Sequence, residues 1–229
     1  MSRSGLLGLV GAGPLLLDFD GPVCSVFAGY PAPRVAGELV SLLNGKGVVV
    51  PPDMHDPLAV LRWVGEKCSQ DLLIEVEDAL CAAELHAVGV AAPTPYGHRV
   101  ILGASDRGLP VAVVSNNSAV AITAYLKAHS LFSSVAVIVG RAYGQPELMK
   151  PAPGPVLDAV RALRADPRSC VLVGDSASDI RAAHAAGVAS IGYAGKAGKI
   201  DALAAADVVV TSMGEIAAAL SPESGIPAE

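Results

Sequence analysis

The sequence predicts an α/β fold, a doubly wound parallel sheet interrupted by a small all-helical insertion. Three observations carry that expectation. Hydrophobic residues make up 52% of the chain and aromatics only 4%, so the core has to be built from Ala, Val and Leu, side chains suited to stacked strands and amphipathic helices. From residue 93 onward, short continuous apolar runs alternate with helical periodicity, the pattern of parallel strands covered on both faces. From about Val23 to Ala92 the apolar residues recur at spacings of three and four instead, with no convincing strand.

The elements follow in order. Gly5 to Leu17 is apolar and follows Arg3, but it lacks the small-x-small cleavage site of a secretory leader and runs directly into Asp18 and Asp20. It is read as a buried strand, with Pro14 to Asp18 as its end. Gly21 and Pro22 then force a turn. Helices are expected over Val35 to Leu43, over Pro57 to Val64 with Asp56 as N-cap, and over Leu72 to Val88. The prolines of Ala91-Ala92-Pro93-Thr94-Pro95 mark a return linker. Strands at Val111 to Val114, Val135 to Val139, Cys170 to Val173, Ala189 to Ile191 and Asp207 to Val210 then alternate with helices at Ser118 to Ala128, Pro155 to Leu163 and Ser176 to Ala186. A short helix follows the last strand, and Ser221 to Glu229 reads as a frayed tail. The expected division is a core of residues 1–21 and 93–229 with an inserted helical cap of residues 22–92.

The formal net charge of -6, with no basic block, disfavours nucleic acid as a partner. No stretch is long enough to span a bilayer without charges, so no membrane partner is expected. Cys24, Cys68, Cys81 and Cys170 are scattered without metal spacing, which points to a reducing, cytoplasmic setting and away from zinc or disulfides. Gly11-Ala12-Gly13 precedes a strand, the wrong context for a dinucleotide-binding turn.

In an open parallel sheet, ligands bind beyond the carboxyl ends of the strands. Those ends carry Asp18-Phe19-Asp20, Ser115-Asn116-Asn117 and Asp175-Ser176, while Lys150 precedes the helix near Pro155. Carboxylates, a hydroxyl and an ammonium together suit a tetrahedral anion and a hard cation. The set resembles the four ordered motifs of the haloacid dehalogenase-like (HAD) hydrolase superfamily: Asp18-Phe19-Asp20-Gly21, the strand ending at Ser115, Lys150-Pro151, and Gly174-Asp175-Ser176-Ala177-Ser178-Asp179. One D-x-D alone is a weak signal, but four motifs in order are a strong one. The insertion resembles the superfamily's type C1 helical cap, as in phosphoglycolate phosphatase-like members.

The resemblance implies a Rossmannoid core and a phosphomonoester hydrolase acting on a small phosphorylated metabolite. Asp18 is the implied nucleophile, forming an aspartyl-phosphate, and Asp20 the general acid and base. Lys150 neutralises charge, while Ser115 and the Asn116 backbone N–H hold phosphate oxygens. Magnesium is implied, held by Asp18, the Asp20 backbone carbonyl and Asp175, with Asp179 orienting Lys150 or a metal-bound water. Asn117 reads equally as a turn residue or a ligand. Pro22 departs from the usual Thr or Val and removes a backbone donor. Tyr30 and Arg34 are candidates to face substrate, Trp63 to fill the cap core, and no role falls to His55, His86, His98, His129 or His184. A sugar phosphomutase shares the motifs, and an idle binding module retains the fold. A dehalogenase is disfavoured by Asp20, and a phosphonate-cleaving enzyme needs a cap lysine, for which only Lys46 and Lys67 are available.

Overall fold

The structure is a computed structural model that describes residues 3–196 and 198–221; most of the expected tail lies outside them. The chain runs α1 (Arg3–Val10), β1 (Leu15–Leu17), β2 (Cys24–Ser25), α2 (Ala32–Gly45), α3 (Pro57–Lys67), α4 (Gln70–Val88), β3 (Ala92–Pro93), α5 (Gly97–Asp106), β4 (Val111–Val114) and α6 (Ala119–Ala128). It continues through β5 (Val137–Val139), α7 (Gly154–Ala162), β6 (Val171–Gly174), α8 (Ala177–Ala185), β7 (Ala189–Tyr193), α9 (Lys199–Ala202), β8 (Val208–Val210) and α10 (Met213–Leu220). Six strands form one parallel sheet in the order β5-β4-β1-β6-β7-β8.

Strand pleating divides the core. Leu15 and Leu17 face a layer that includes α1, α5, α6 and α10, whereas Leu16 faces α7 and α8. Both faces are therefore covered, as continuous apolar strands require. The chain leaves β1 for β4 on one side and later adds β6 on the other, so the strand order reverses around β1. Such a reversal opens a crevice above the carboxyl ends of the central strands.

Helices α2, α3 and α4 share a separate apolar cluster through Val35, Leu39, Leu61, Val64, Val76 and Leu80, with Trp63 packed at its edge. Asp56 caps α3 by accepting from the Leu58 N–H at 3.1 Å. Where the insertion leaves and rejoins the sheet, β2 and β3 pair antiparallel, and Thr94 donates its backbone N–H to the Val23 carbonyl at 3.1 Å. The helical stretch thus contains a two-residue strand, too short for alternation to register in the sequence.

Three further departures concern helices. Residues Arg3–Val10 form α1 rather than the start of a strand, and only Leu15–Leu17 join the sheet. An apolar run does not distinguish a helix from a strand, and here Leu6 and Val10 are buried in the outer layer. Helices α5 and α9 are not expected from the sequence; α5 buries Val100, Ile101 and Ala104 on one stripe, and α9 is a single turn. Among the described residues, no helix is long and apolar enough to cross a membrane.

Candidate active site

Asp18 extends β1 by one residue, its N–H donating to the Val173 carbonyl at 2.8 Å. The ladder of buried leucines therefore delivers this carboxylate to the crevice. The chain turns at Gly21, whose φ is +112° and where a Cβ would lie 2.5 Å from the Asp175 carboxyl carbon. Only glycine satisfies both the backbone conformation and that approach. Asp20 immediately precedes this turn, and its Oδ1 accepts the Val26 N–H at 2.9 Å.

Lys150 is 1% exposed. Its ammonium donates to Asp18 Oδ1 at 3.0 Å and to the Val114 carbonyl at 2.7 Å, and it pairs with Asp179 Oδ1 at 2.6 Å. Burial alone would lower the lysine's pKa, but Asp179 and Asp18 together hold it above its usual range. Asp18 shows the converse. Burial, then Asp179, push its pKa up to about 7 against the pull of Lys150, and Asp175 adds to the rise. Burial also raises Asp20, opposed first by the hydrogen bond from Val26.

The Asn116 side chain clamps the backbone of Lys150, accepting its N–H at 2.9 Å and donating to its carbonyl at 3.1 Å. Ser115 Oγ donates to Asn117 Oδ1 at 3.2 Å and accepts the Asn117 N–H at 3.3 Å. Asp179 serves two ends: its Oδ2 accepts the Ser176 N–H at 3.1 Å in a capping box on α8, while its Oδ1 meets Lys150.

A cavity of about 270 Å³ is lined by Asp18, Asp20, Ser115, Asn116, Lys150, Asp175 and Asp179, so the seven residues singled out in the sequence meet in one space. The insertion contributes Phe27, Asp56, Leu58, Arg62 and Glu84 to the lining. Tyr30 and Arg34 are not among the lining residues. Both contact Glu38 on the exposed face of α2, which corrects the expectation that they face substrate. Lys46 pairs with Glu75 and Lys67 is exposed; neither lines the cavity.

One oxygen each from Asp18, Asp175 and Asp179 lies within 4.8 Å of the others. An all-oxygen set of this kind could hold a hard divalent cation. Asp179 enters this trio beyond the orienting part the resemblance implied. The carboxylate of Asp20 is outside it.

A family model described as haloacid dehalogenase-like hydrolase matches residues 16–187, from β1 past the end of α8. The chain belongs to the haloacid dehalogenase-like hydrolases. Within this family, phosphoglycolate phosphatase of Escherichia coli K12 is 32% identical over 123 residues, 53% of this chain and 46% of that protein. The Neisseria meningitidis phosphoglycolate phosphatase is 34% identical over 121 residues, 51% of each chain. The matched region thus spans about half the length of these curated relatives. Among solved structures, CbbY from Rhodobacter sphaeroides in complex with phosphate superposes with a TM-score of 0.71 at 20% identity, covering 90% of this chain and 98% of that one. A β-phosphoglucomutase from Clostridium difficile gives 0.67 at 16% identity, covering 88% and 92%. These likenesses show a shared haloacid dehalogenase-like fold.

Four site features left no mark in the sequence reading. Arg62 reaches the Lys150 carbonyl at 3.2 Å. Lys199 pairs with the Asp175 carboxylate and donates to its backbone carbonyl at 2.9 Å. Glu84 and Arg141 meet behind the Ser115–Ser118 loop. None belongs to a strand-end motif, so residue type and local spacing carried no signal for them.

Proposed function

We propose that this chain is a magnesium-dependent phosphomonoester hydrolase of small phosphorylated metabolites, working in the cytoplasm through an aspartyl-phosphate on Asp18. The supporting observation is the bridge from Lys150 to both Asp18 and Asp179 beside Asp20, Asp175 and Ser115 in one cavity. An Asp18 oxygen forms a bond to phosphorus as the ester P–O bond breaks, and Asp20 gives its proton to the leaving alkoxide. Burial, which raises Asp20, favours carrying that proton. Asp20 then takes a proton from water, whose oxygen displaces Asp18 and releases inorganic phosphate. Lys150 holds the nucleophile and neutralises the charge gathering beside it, and Ser115 and Asn116 hold phosphate oxygens. Asp18, Asp175 and Asp179 would hold magnesium, with the Asp20 carbonyl as the resemblance implies; when bound, it offsets the repulsion between carboxylate and phosphate.

In this reading the inserted helices, residues 22–92, act as the cap, and their residues in the cavity wall would face the leaving group. A phosphoglycolate-like or sugar-phosphate substrate fits this reading. The matched curated relatives include phosphoglycolate phosphatases and a bifunctional riboflavin kinase/FMN phosphatase, and a CbbY neighbour was solved with xylulose-(1,5)bisphosphate. The test is phosphate release from p-nitrophenyl phosphate or acetyl phosphate. It is expected with magnesium and expected to vanish with EDTA or in Asp18→Asn; turnover surviving both treatments overturns the mechanism. Product analysis with a hexose 1-phosphate separates hydrolase from phosphomutase.

A further inference from the structure

Arg141 stands one residue beyond Gly140, where the loop after β5 meets the Ser115–Ser118 loop. A Cβ at Gly140 would lie 2.4 Å from the Ala119 nitrogen, so the two loops touch backbone to backbone. Arg141 donates its own N–H to the Asn117 carbonyl at 2.9 Å. Its buried guanidinium donates to three oxygen-bearing groups: Nη1 to the Asn116 carbonyl at 2.6 Å, Nη1 and Nη2 to Glu84 Oε1 and Oε2 at 2.8 and 3.3 Å, and Nε to Glu77 Oε1 at 2.7 Å, with Nη2 also donating to Cys81 Sγ at 3.7 Å.

Glu84 completes the hold from the other side. Its Oε2 accepts the Ser118 N–H at 2.9 Å and its Oε1 accepts from Asn117 Nδ2 at 3.2 Å. Behind the cavity, the loop is thus held by Arg141 and by Glu84 of helix α4, while Ser118 also caps α6 by accepting the Ala121 N–H at 3.4 Å. The near side, through Ser115 and Asn116, faces the cavity and clamps Lys150.

We infer that Arg141 and Glu84 are positioning residues that fix the loop Ser115–Ser118, and through Asn116 the Lys150 backbone, to the seat of helix α4. The inference rests on the phosphatase reading. Arg141 touches no reacting atom; it acts by aiming groups that do. The planar fork is the property used, because three acceptors in different directions are held at once. An ammonium in the same place supplies the charge without the fork.

The test compares Arg141→Lys, Arg141→Met and the near-isosteric Glu84→Gln in the full chain with magnesium. The readouts are kcat and KM for p-nitrophenyl phosphate, the inhibition constant of inorganic phosphate, and the melting temperature. Displacing an aligned site by about an ångström costs on the order of a hundredfold, so kcat is expected to fall at least about tenfold in all three variants. Phosphate inhibition is expected to weaken by a similar factor in Arg141→Lys and Arg141→Met, below their melting temperatures. Wild-type kcat and phosphate affinity in Arg141→Lys reduce the role to charge and overturn positioning. A lowered melting temperature with both constants within about twofold makes the network purely structural and overturns it as well. If the Arg141 variants do not fold, Glu84→Gln decides: an unchanged kcat overturns the inference. A wild-type protein inert towards every phosphoester tested instead removes the phosphatase reading, so the two failures are distinguishable.

Discussion

Lys150 and Arg141 are both buried cations facing two carboxylates, yet the two networks are built differently. Lys150 sits between Asp18 and Asp179 at the floor of a cavity, and two of the acids near it, Asp18 and Asp179, lie with Asp175 close enough to share a cation. Arg141 sits between Glu77 and Glu84 and is also held to the loop backbone, and Glu77 Oε2 is left without a partner. A compact ammonium leaves neighbouring carboxylates charged and adjustable, which chemistry needs. A planar guanidinium holds several acceptors in one geometry, which alignment needs. Burying an ion pair is weak evidence of stability in either case, because desolvation offsets much of the attraction. The contrast lies in what each pair faces.

Breaking the first network has the largest expected effect. Lys150→Ala removes the neutralising group from Asp18 and Asp179, so turnover should drop about a hundredfold or more, on the order of 3 kcal/mol of transition-state stabilisation. Steady-state kinetics with saturating magnesium measures this, and a loss under about threefold would sink the role given to Lys150.

A smaller effect is expected from pH. Burial and the neighbouring acids push Asp18 up to about 7, so without a divalent cation the folded protein binds a proton there that the unfolded chain, with an ordinary carboxyl near 3.8, releases. This contribution to stability therefore grows as pH falls from about 7 towards 4, by at most about 1.4 kcal/mol per pH unit. Melting curves in EDTA should show it, and magnesium should flatten the slope by favouring the ionised form. An identical slope with and without magnesium would contradict the proposed ligand set.

The smallest effect sharpens the second network. Glu77 uses one oxygen on Arg141 and leaves the other unpaired, whereas both Glu84 oxygens are engaged. Glu77→Gln should shift stability by no more than about 1 kcal/mol, less than Glu84→Gln. Equal losses in urea denaturation would mean that the loop contacts of Glu84 add nothing.

Much of the site was legible because each acid directly follows a buried apolar run. A strand read from Cys170 to Val173 places Asp175 at the sheet's rim whatever else the chain does. The parallel sheet was legible for the same reason. Helix α1 was misread because Leu6 and Val10 belong to an apolar stretch that a strand would also use, and their burial depends on α10, which lies some 200 residues away in the chain. Tyr30 and Arg34 were misplaced because proximity in sequence to the cap junction does not determine which way a side chain points; both turn to Glu38 on the exposed face of α2.

By itself the sequence determined the alternation of the sheet's strands with most of its covering helices, the helical insertion, and the acids, hydroxyl and lysine offered to a phosphate, because strand ends and helix starts are set largely by local sterics and apolar periodicity. Only the tertiary structure decided that Arg141 meets Glu84 from 57 positions away, that Lys199 covers Asp175, and that Asp56, Arg62 and Glu84 wall the cavity. Those pairings depend on where packed layers bring distant surfaces together, and the local chemistry of a side chain carries no record of that.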